Sequence, residues 1–231
     1  MKITINNCTT DFESYRAQRF KSLFNADDGS SFTREFDIDI DSLDWGIGLI
    51  VGASGSGKTS IGRQFFNQDK IYNLYDGWDL SKPIIDCIKP DGDFNTVTGA
   101  LAAVGLGDVP SWLRPFNALS NGQQFRAGLA RLITEAPDEV IVDEFTSVVD
   151  RQIAKIGAMA FCKSWRRNKG KKVVLLSCHY DIIEWLQPDW VYDVNTKVLK
   201  KKLQSGTDHK SSLTFGRSAE LTGSCLKSII I

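Results

Sequence analysis

Several groups of residues in this chain have types and spacing suited to handling a phosphate ester. The first is Gly52-Ala53-Ser54-Gly55-Ser56-Gly57-Lys58-Thr59, with Ser60 behind it. It fits the phosphate-binding pattern G-x-x-x-x-G-K-[ST]. Backbone N–H groups can surround a polyphosphate only where side chains are absent, and Gly52, Gly55 and Gly57 allow that approach. A helix opening near Lys58 would aim its unpaired N–H groups and the positive end of its dipole at the phosphates. Lys58 would then reach the β- and γ-phosphates, and the Thr59 hydroxyl would bind Mg²⁺. A flexible turn is the plainer reading. The apolar run Ile47–Val51 just before the loop favours the phosphate site, because the pattern needs a strand there.

Glu139-Val-Ile-Val-Asp-Glu144 is the second group. A buried strand has no cheap use for two adjacent carboxylates at its tip, since an unpaired buried charge is costly. Ligands of open α/β sheets bind at such strand ends. Asp143 there suits Mg²⁺, and Glu144 suits a base that orients and deprotonates water. Thr146–Asp150 ends in a further carboxylate just before a helix. Val173-Val-Leu-Leu-Ser-Cys-His179 is a buried strand that delivers a histidine at its tip; a lone histidine is more often structural, but at such a tip it can reach a phosphate. Leu119-Ser-Asn-Gly-Gln123 precedes a helical pattern, and by itself it reads as a serine–glycine helix cap.

These groups need a scaffold. Met1–Ile5 reads as a first strand, Asp11–Phe24 as a short amphipathic helix and Phe36–Ile40 as a half-exposed strand alternating apolar with acidic. Ile47–Val51 is a buried strand and Thr59–Phe66 its helix, followed by a strand at Ile71–Tyr75. Phe94–Val104 is a helix ending at Gly105, with another helical piece at Asp108–Arg114. Val198-Leu-Lys can finish a hairpin. Phe32, Phe36 and Tyr15 are open candidates for stacking on an adenine, with core packing the competing role for each.

The bulk properties are those of an ordinary globular chain. Its 231 residues suit one generous domain or one domain with appendages, and Lys plus Arg balance Asp plus Glu at 28 each. Zero net charge gives no global attraction to nucleic acid or an anionic membrane. Basic clusters such as Arg166-Arg167 and Lys200–Lys202 read as solvated faces, with a DNA contact as the lesser alternative. Five scattered cysteines without a C-x-x-C pair suit a reducing cytosol. No membrane-span pattern or signal peptide is legible, so the expected location is cytoplasmic and the Asn7-Cys8-Thr9 sequon is discounted.

Taken in order, Gly52–Thr59, Leu119–Gln123, Val140–Glu144, Ser147–Asp150 and His179 resemble the Walker A, signature, Walker B, D-loop and H-loop of the ATP-binding-cassette (ABC) ATPases. The resemblance runs from about Ile47 to Trp190. It implies an α/β P-loop NTPase with a mostly parallel sheet flanked by helices, an N-terminal antiparallel β piece and a reduced helical subdomain at about 76–133. The ATPase domain would span 1–196, with a tail at 197–231. The implied activity is hydrolysis of ATP with Mg²⁺. Two copies would pair head to tail, so that Ser120 and Gly122 meet the γ-phosphate held by the other subunit, with Gln123 beside them among the nucleotide-binding residues. Glu144 would activate water, His179 would steady the γ-phosphate, and Asp150 would couple the two sites.

The pattern also departs from that family. No glutamine stands where the Q-loop places one, and Asp79, after Trp78, is the nearest counterpart, with a plain turn acid as the alternative. The interval from Lys58 to Leu119 is short for a transporter ATPase. Asn121 stands where glycine is commoner. The wording of Asp143–Arg151, Ser177–Trp190 and Val191–Thr196 resembles soluble prokaryotic and phage ABC ATPases, some fused to a predicted acetyltransferase domain. A soluble protein or nucleic-acid partner is therefore expected. A transporter's nucleotide-binding subunit and a module that binds ATP without turnover are the alternatives. The tail beyond Thr196 reads as disordered or partner-binding, or as altered by truncation or frameshift.

Overall fold

The computed structural model describes residues 2–8, 14–24, 31–40, 42–66 and 71–202. Strands β1 (Lys2–Cys8) and β2 (Ser31–Asp37) pair antiparallel as a two-stranded sheet of their own. Helix α1 (Tyr15–Phe24) lies between them in sequence and buries none of its residues. The strand expected at Phe36–Ile40 leaves the ladder after Asp37, yet its alternation persists. Phe36, Ile38 and Ile40 are buried while Glu35, Asp37 and Asp39 are exposed. The period of two therefore reported a face in contact with the core, beyond the last ladder hydrogen bond.

The main sheet contains β3 (Ile47–Val51), β4 (Ile71–Tyr72), β5 (Glu139–Val142), β6 (Lys172–Ser177), β7 (Trp190–Asp193) and β8 (Val198–Lys201), in the order β4-β5-β6-β3-β7-β8. All neighbours are parallel except the β7–β8 hairpin. Successive residues of a strand point to opposite faces, and here both faces are buried, so the central strands are apolar throughout. Ile47, Leu49, Val51, Val140, Val142, Val173 and Leu175 face one core, while Ile50, Ile141, Val174 and Leu176 face another.

Helices cover the first face. They are α4 (Phe94–Ala103), α6 (Asn121–Glu135), α7 (Arg151–Trp165) and α8 (Ile182–Leu186), with the short α3 (Ile84–Cys87) and α5 (Val109–Trp112) completing the arm between β4 and β5. Phe125, Phe145, Phe161 and Trp165 form a chain of rings through this core, with successive centroids 5.9, 5.8 and 5.4 Å apart. Each such buried ring contributes about 1.5–3 kcal/mol relative to exposure. The other face is covered by residues 36–40 and 42–45 and by α2 (Lys58–Gly62). Its centre is Trp190, which meets Trp45 edge-on at 5.3 Å and stacks on Phe65 at 5.4 Å. The Trp190 ring lies directly over Gly48, where an added Cβ would come within 2.1 Å of it.

Two elements are shorter than expected. The helix after the glycine loop stops at Gly62 and continues as turns closed by Gln64 N–H to Ile61 O and Phe65 N–H to Gly62 O, both 3.0 Å. This tightening turns Phe65 onto Trp190 and Phe66 onto Trp45, a gain that a straight helix to Phe66 would forgo. β4 stops at Tyr72 because the Asn73 side chain accepts the Tyr75 N–H at 3.0 Å and forms a turn.

Candidate functional site

Because β5, β6 and β3 are parallel neighbours, their C-terminal ends share one edge of the sheet. That edge receives Asp143 and Glu144 after β5, Cys178 and His179 after β6, and Gly52 after β3. Neighbouring parallel strands lie roughly 5 Å apart, so side chains at these tips can meet around one ligand.

The glycine loop supplies the centre. Gly55 and Gly57 have φ of +74° and +96°, and a Cβ at either would meet nothing within 4 Å. Glycine is needed there for its dihedrals, and the space above the loop is open. Gly57 directly precedes α2, whose first N–H groups face the loop without a side-chain cap. Lys58 folds back over the loop, its Nζ donating to Gly52 O at 2.9 Å and Ala53 O at 2.8 Å. Ala53, Ser54 and Gly55 are exposed, and Ser56, Thr59 and Ser60 are half-buried. The result is a cradle of backbone donors with one cation poised across it. It fits a polyphosphate, with the Thr59 hydroxyl and Asp143 as oxygen donors for a hard cation such as Mg²⁺.

At the tip of β5 the backbone is strained. Glu144 has φ of +51° and Thr146 of +68°, a region that side-chain-bearing residues rarely enter. Between them Phe145 is fully buried, its N–H bonded to Leu176 O at 2.9 Å and its ring between Phe125 and Phe161. This anchor over-determines its neighbours. Glu144 is left exposed, with its own N–H on Asp143 Oδ1 at 2.8 Å, and Asp143 is half-buried. The buried Tyr75 hydroxyl has no hydrogen-bond partner among the described residues. Burial pushes its pKa up to about 12, and the charge of Glu144 adds to the rise.

His179 is half-buried, and its backbone N–H donates to Ser177 Oγ at 3.1 Å. Burial and then the Arg151 guanidinium hold its pKa below the usual histidine value, against an opposing pull from Asp181. It is therefore a neutral imidazole near neutral pH, able to donate through one ring nitrogen. Asp150 is exposed and caps α7 by accepting Gln152 N–H at 2.8 Å.

Ser120 and Gln123 form a complete capping box at the start of α6. The Ser120 N–H donates to Gln123 Oε1 at 3.0 Å, the Gln123 N–H to Ser120 Oγ at 3.4 Å, and Gln123 Nε2 to Ser111 Oγ at 2.7 Å. Gly122 is buried against Ile153, where an added Cβ would lie 2.7 Å from the Ile153 side chain. Every one of these partners lies in the helical arm or α7, so local packing alone accounts for the three residues within one protomer.

Asp79 is a turn acid. Its carboxylate accepts from the Ser81 hydroxyl at 2.6 Å and the Ser81 N–H at 3.0 Å and pairs with Lys82, which together hold its pKa down to about 2. Trp78 packs beside it, stacked on Phe116 at 4.3 Å. Among the aromatic candidates, Phe36 is buried edge-on to Tyr192 and Tyr15 is exposed on α1, while the Phe32 side chain lies outside the described residues.

Sequence reasoning missed Tyr75, Arg131, Arg151 and Asn195. Arg131 clasps the 76–78 segment, donating to Asp76 O at 3.0 Å with its guanidinium 4.9 Å from the Trp78 ring. Asn195 Oδ1 accepts the Ala53 N–H of the phosphate loop at 3.5 Å. Each contact joins residues far apart in the chain, and no local pattern marks them.

No protein-family model matches this chain. A 66-residue stretch is 35% identical to the methionine import ATP-binding protein MetN 2 of Acinetobacter baylyi, covering 29% of this chain and 19% of that protein. The match thus spans about a fifth of the length of that relative. Among solved structures, a dimeric bacterial ABC transporter cassette superposes with a TM-score of 0.55 at 14% identity, covering 72% of this chain and 88% of the other. A dimeric ATP-binding cassette in a post-hydrolysis state with ADP and Pi gives 0.59 at 14% identity, covering 87% of this chain and 98% of the other. The chain therefore has the α/β P-loop fold of the ABC ATPase cassettes, with a mostly parallel sheet flanked by helices.

Proposed function

We propose that this chain, a cassette by fold, binds ATP with Mg²⁺ on Gly52–Ser60 and hydrolyses it when two copies pair head to tail. The observation that carries the reading is the convergence of the glycine loop, the Asp143–Glu144 pair and His179 on one sheet edge. In this reading Lys58 neutralises the outer phosphates, and Thr59 and Asp143 hold Mg²⁺, which supplies charge neutralisation. Glu144 accepts the proton of the attacking water, and neutral His179 donates to the γ-phosphate. Ser120, Gly122 and Gln123 complete the partner subunit's site, and Asp150 lies between the two. The strained Glu144 backbone supports its assignment, since such strain clusters where a side chain must be aimed.

The ATPase domain would comprise residues 1–196 together with β8 (Val198–Lys201), which completes its sheet, and a helical subdomain at about 76–133; the tail beyond Lys202 lies outside the described residues. The short stretch from Lys58 to Leu119 favours a soluble protein or nucleic-acid partner in the cytoplasm, of the kind served by phage-type cassettes, over a membrane subunit. The MetN 2 likeness supports a second reading, the ATP-binding subunit of a transporter. Among the described residues no helix is long and apolar enough to cross a membrane.

Wild type and Glu144→Gln, compared for ATP binding, phosphate release and mass in solution, test the reading. Wild type should release phosphate. Glu144→Gln should still bind ATP, lose about 10²–10⁴-fold in turnover and accumulate as an ATP-bound dimer. Turnover retained in the variant would remove Glu144 from its role, and co-purification with a membrane subunit in detergent would favour the transporter reading.

A further inference from the structure

The turn that carries His179 is fastened on both sides. On one side, the Tyr180 hydroxyl donates to Asp193 Oδ1 at 3.1 Å and accepts from Asn195 Nδ2 at 3.1 Å. Asn195 reaches onward to the Ala53 N–H, so this side is tied to the phosphate loop. On the other side, both Asp181 carboxylate oxygens accept from Arg151, one from Nε at 3.0 Å and the other from Nη2.

Arg151 is the first residue of α7, next to Asp150. Its guanidinium lies 5.0 Å from the Trp185 ring and donates from Nη1 to the backbone oxygen and Oγ1 of Thr146, each at 3.4 Å. Thr146 is fully buried with a positive φ, so it belongs to the strained turn after β5. One side chain thus touches the strained turn, the start of α7 and the histidine turn. A bidentate, stacked guanidinium fixes direction as well as distance, which a lysine could not do.

We propose that Arg151 and Asp181 are a positioning pair that sets His179 according to the state of the Thr146–Asp150 turn. A second copy of this chain docking against Asp150 would move His179 relative to the phosphate loop through this pair. The Tyr180–Asp193–Asn195 group serves as the fixed anchor of the same turn. The inference rests on the ATPase reading above and adds to it a route within one subunit from the pairing surface to the γ-phosphate. Neither residue touches the nucleotide in this scheme, so the pair should govern turnover and leave binding alone.

The test compares wild type, Asp181→Ala and the exchange Arg151→Asp with Asp181→Arg, measuring kcat, KM and the dissociation constant for ATP, with melting temperature as a control. Asp181 is surface-exposed, so Asp181→Ala should fold even if the exchange, which removes the Trp185 stack, does not. Misplacing a positioned group by about 1 Å can cost on the order of a hundredfold. The expected result for Asp181→Ala is a kcat lowered by roughly tenfold or more, with ATP affinity unchanged within about twofold. A folded exchange variant should recover part of the lost kcat. Wild-type kcat in Asp181→Ala overturns the proposal, as does a parallel loss of affinity and turnover. A wild-type protein without ATP hydrolysis instead overturns the ATPase reading on which the proposal stands.

Discussion

The phosphate-loop edge and the start of α6 are the two halves of the proposed composite site, and they are built on opposite principles. At the sheet edge the local geometry is uneconomical. Glu144 and Thr146 occupy a disfavoured backbone region, the buried Tyr75 hydroxyl has no hydrogen-bond partner among the described residues, and the Lys58 cation rests on two loop carbonyls. At the start of α6 the polar groups bond to one another, with Ser120, Gln123 and Ser111 linked and Gly122 packed on Ile153. The first region leaves groups open that the proposed ligand would meet, whereas the second is closed by its own partners. If the cap also meets a nucleotide in a second copy, it does so with groups already arranged by helix formation.

Three substitutions can break or sharpen this contrast. Lys58→Ala should have the largest effect on the ligand-dependent half. Charge-assisted hydrogen bonds contribute about 1.5–3 kcal/mol each, so ATP should bind about ten- to a hundredfold more weakly by titration. Equal affinity in the variant would mean that the loop does not hold the phosphates. Gly122→Ala should do the reverse, because its Cβ would sit 2.7 Å from Ile153. Overpacking of this kind costs about 1–3 kcal/mol, to be read as a lower denaturation midpoint without nucleotide. Unchanged stability would mean that Ile153 swings aside freely. Ser120→Ala should be mildest, costing about 0.5–2 kcal/mol through loss of the cap. If it abolishes turnover in the dimer while costing no more stability than that, the cap has a second role across the subunit interface.

The same contrast explains what could be read from the sequence. The phosphate loop, the apolar central strands and the carboxylates at the β5 tip were legible because each is a local pattern with one dominant cause. Gly52–Thr59 needs glycines at fixed offsets, and strands buried on both faces need unbroken apolar runs. The ends of elements were less legible. Thr59–Phe66 is helical by pattern, yet the pull of Trp190 and Trp45 on Phe65 and Phe66 bends it after Gly62. Ile71–Tyr75 carries strand-forming residues, but the Asn73 side chain turns the backbone away from β5. Arg131 and Arg151 carry no local pattern that marks their roles. Their partners Asp76 and Asp181 lie 55 and 30 residues away, a relation that propensity and periodicity do not carry.

The contact between Gly48 and Trp190 bears on how this architecture could vary. The strand that leads into the phosphate loop is braced by an indole resting on bare backbone. Replacing Trp190 by a smaller residue would open a void beneath the loop, and placing any side chain at position 48 would wedge β3 and the ring apart. The brace can therefore be changed only by coordinated substitution at both positions. Mutational drift at the loop's foundation should be slower than at the loop's own exposed residues Ala53 and Ser54, which face outward and are free of that constraint.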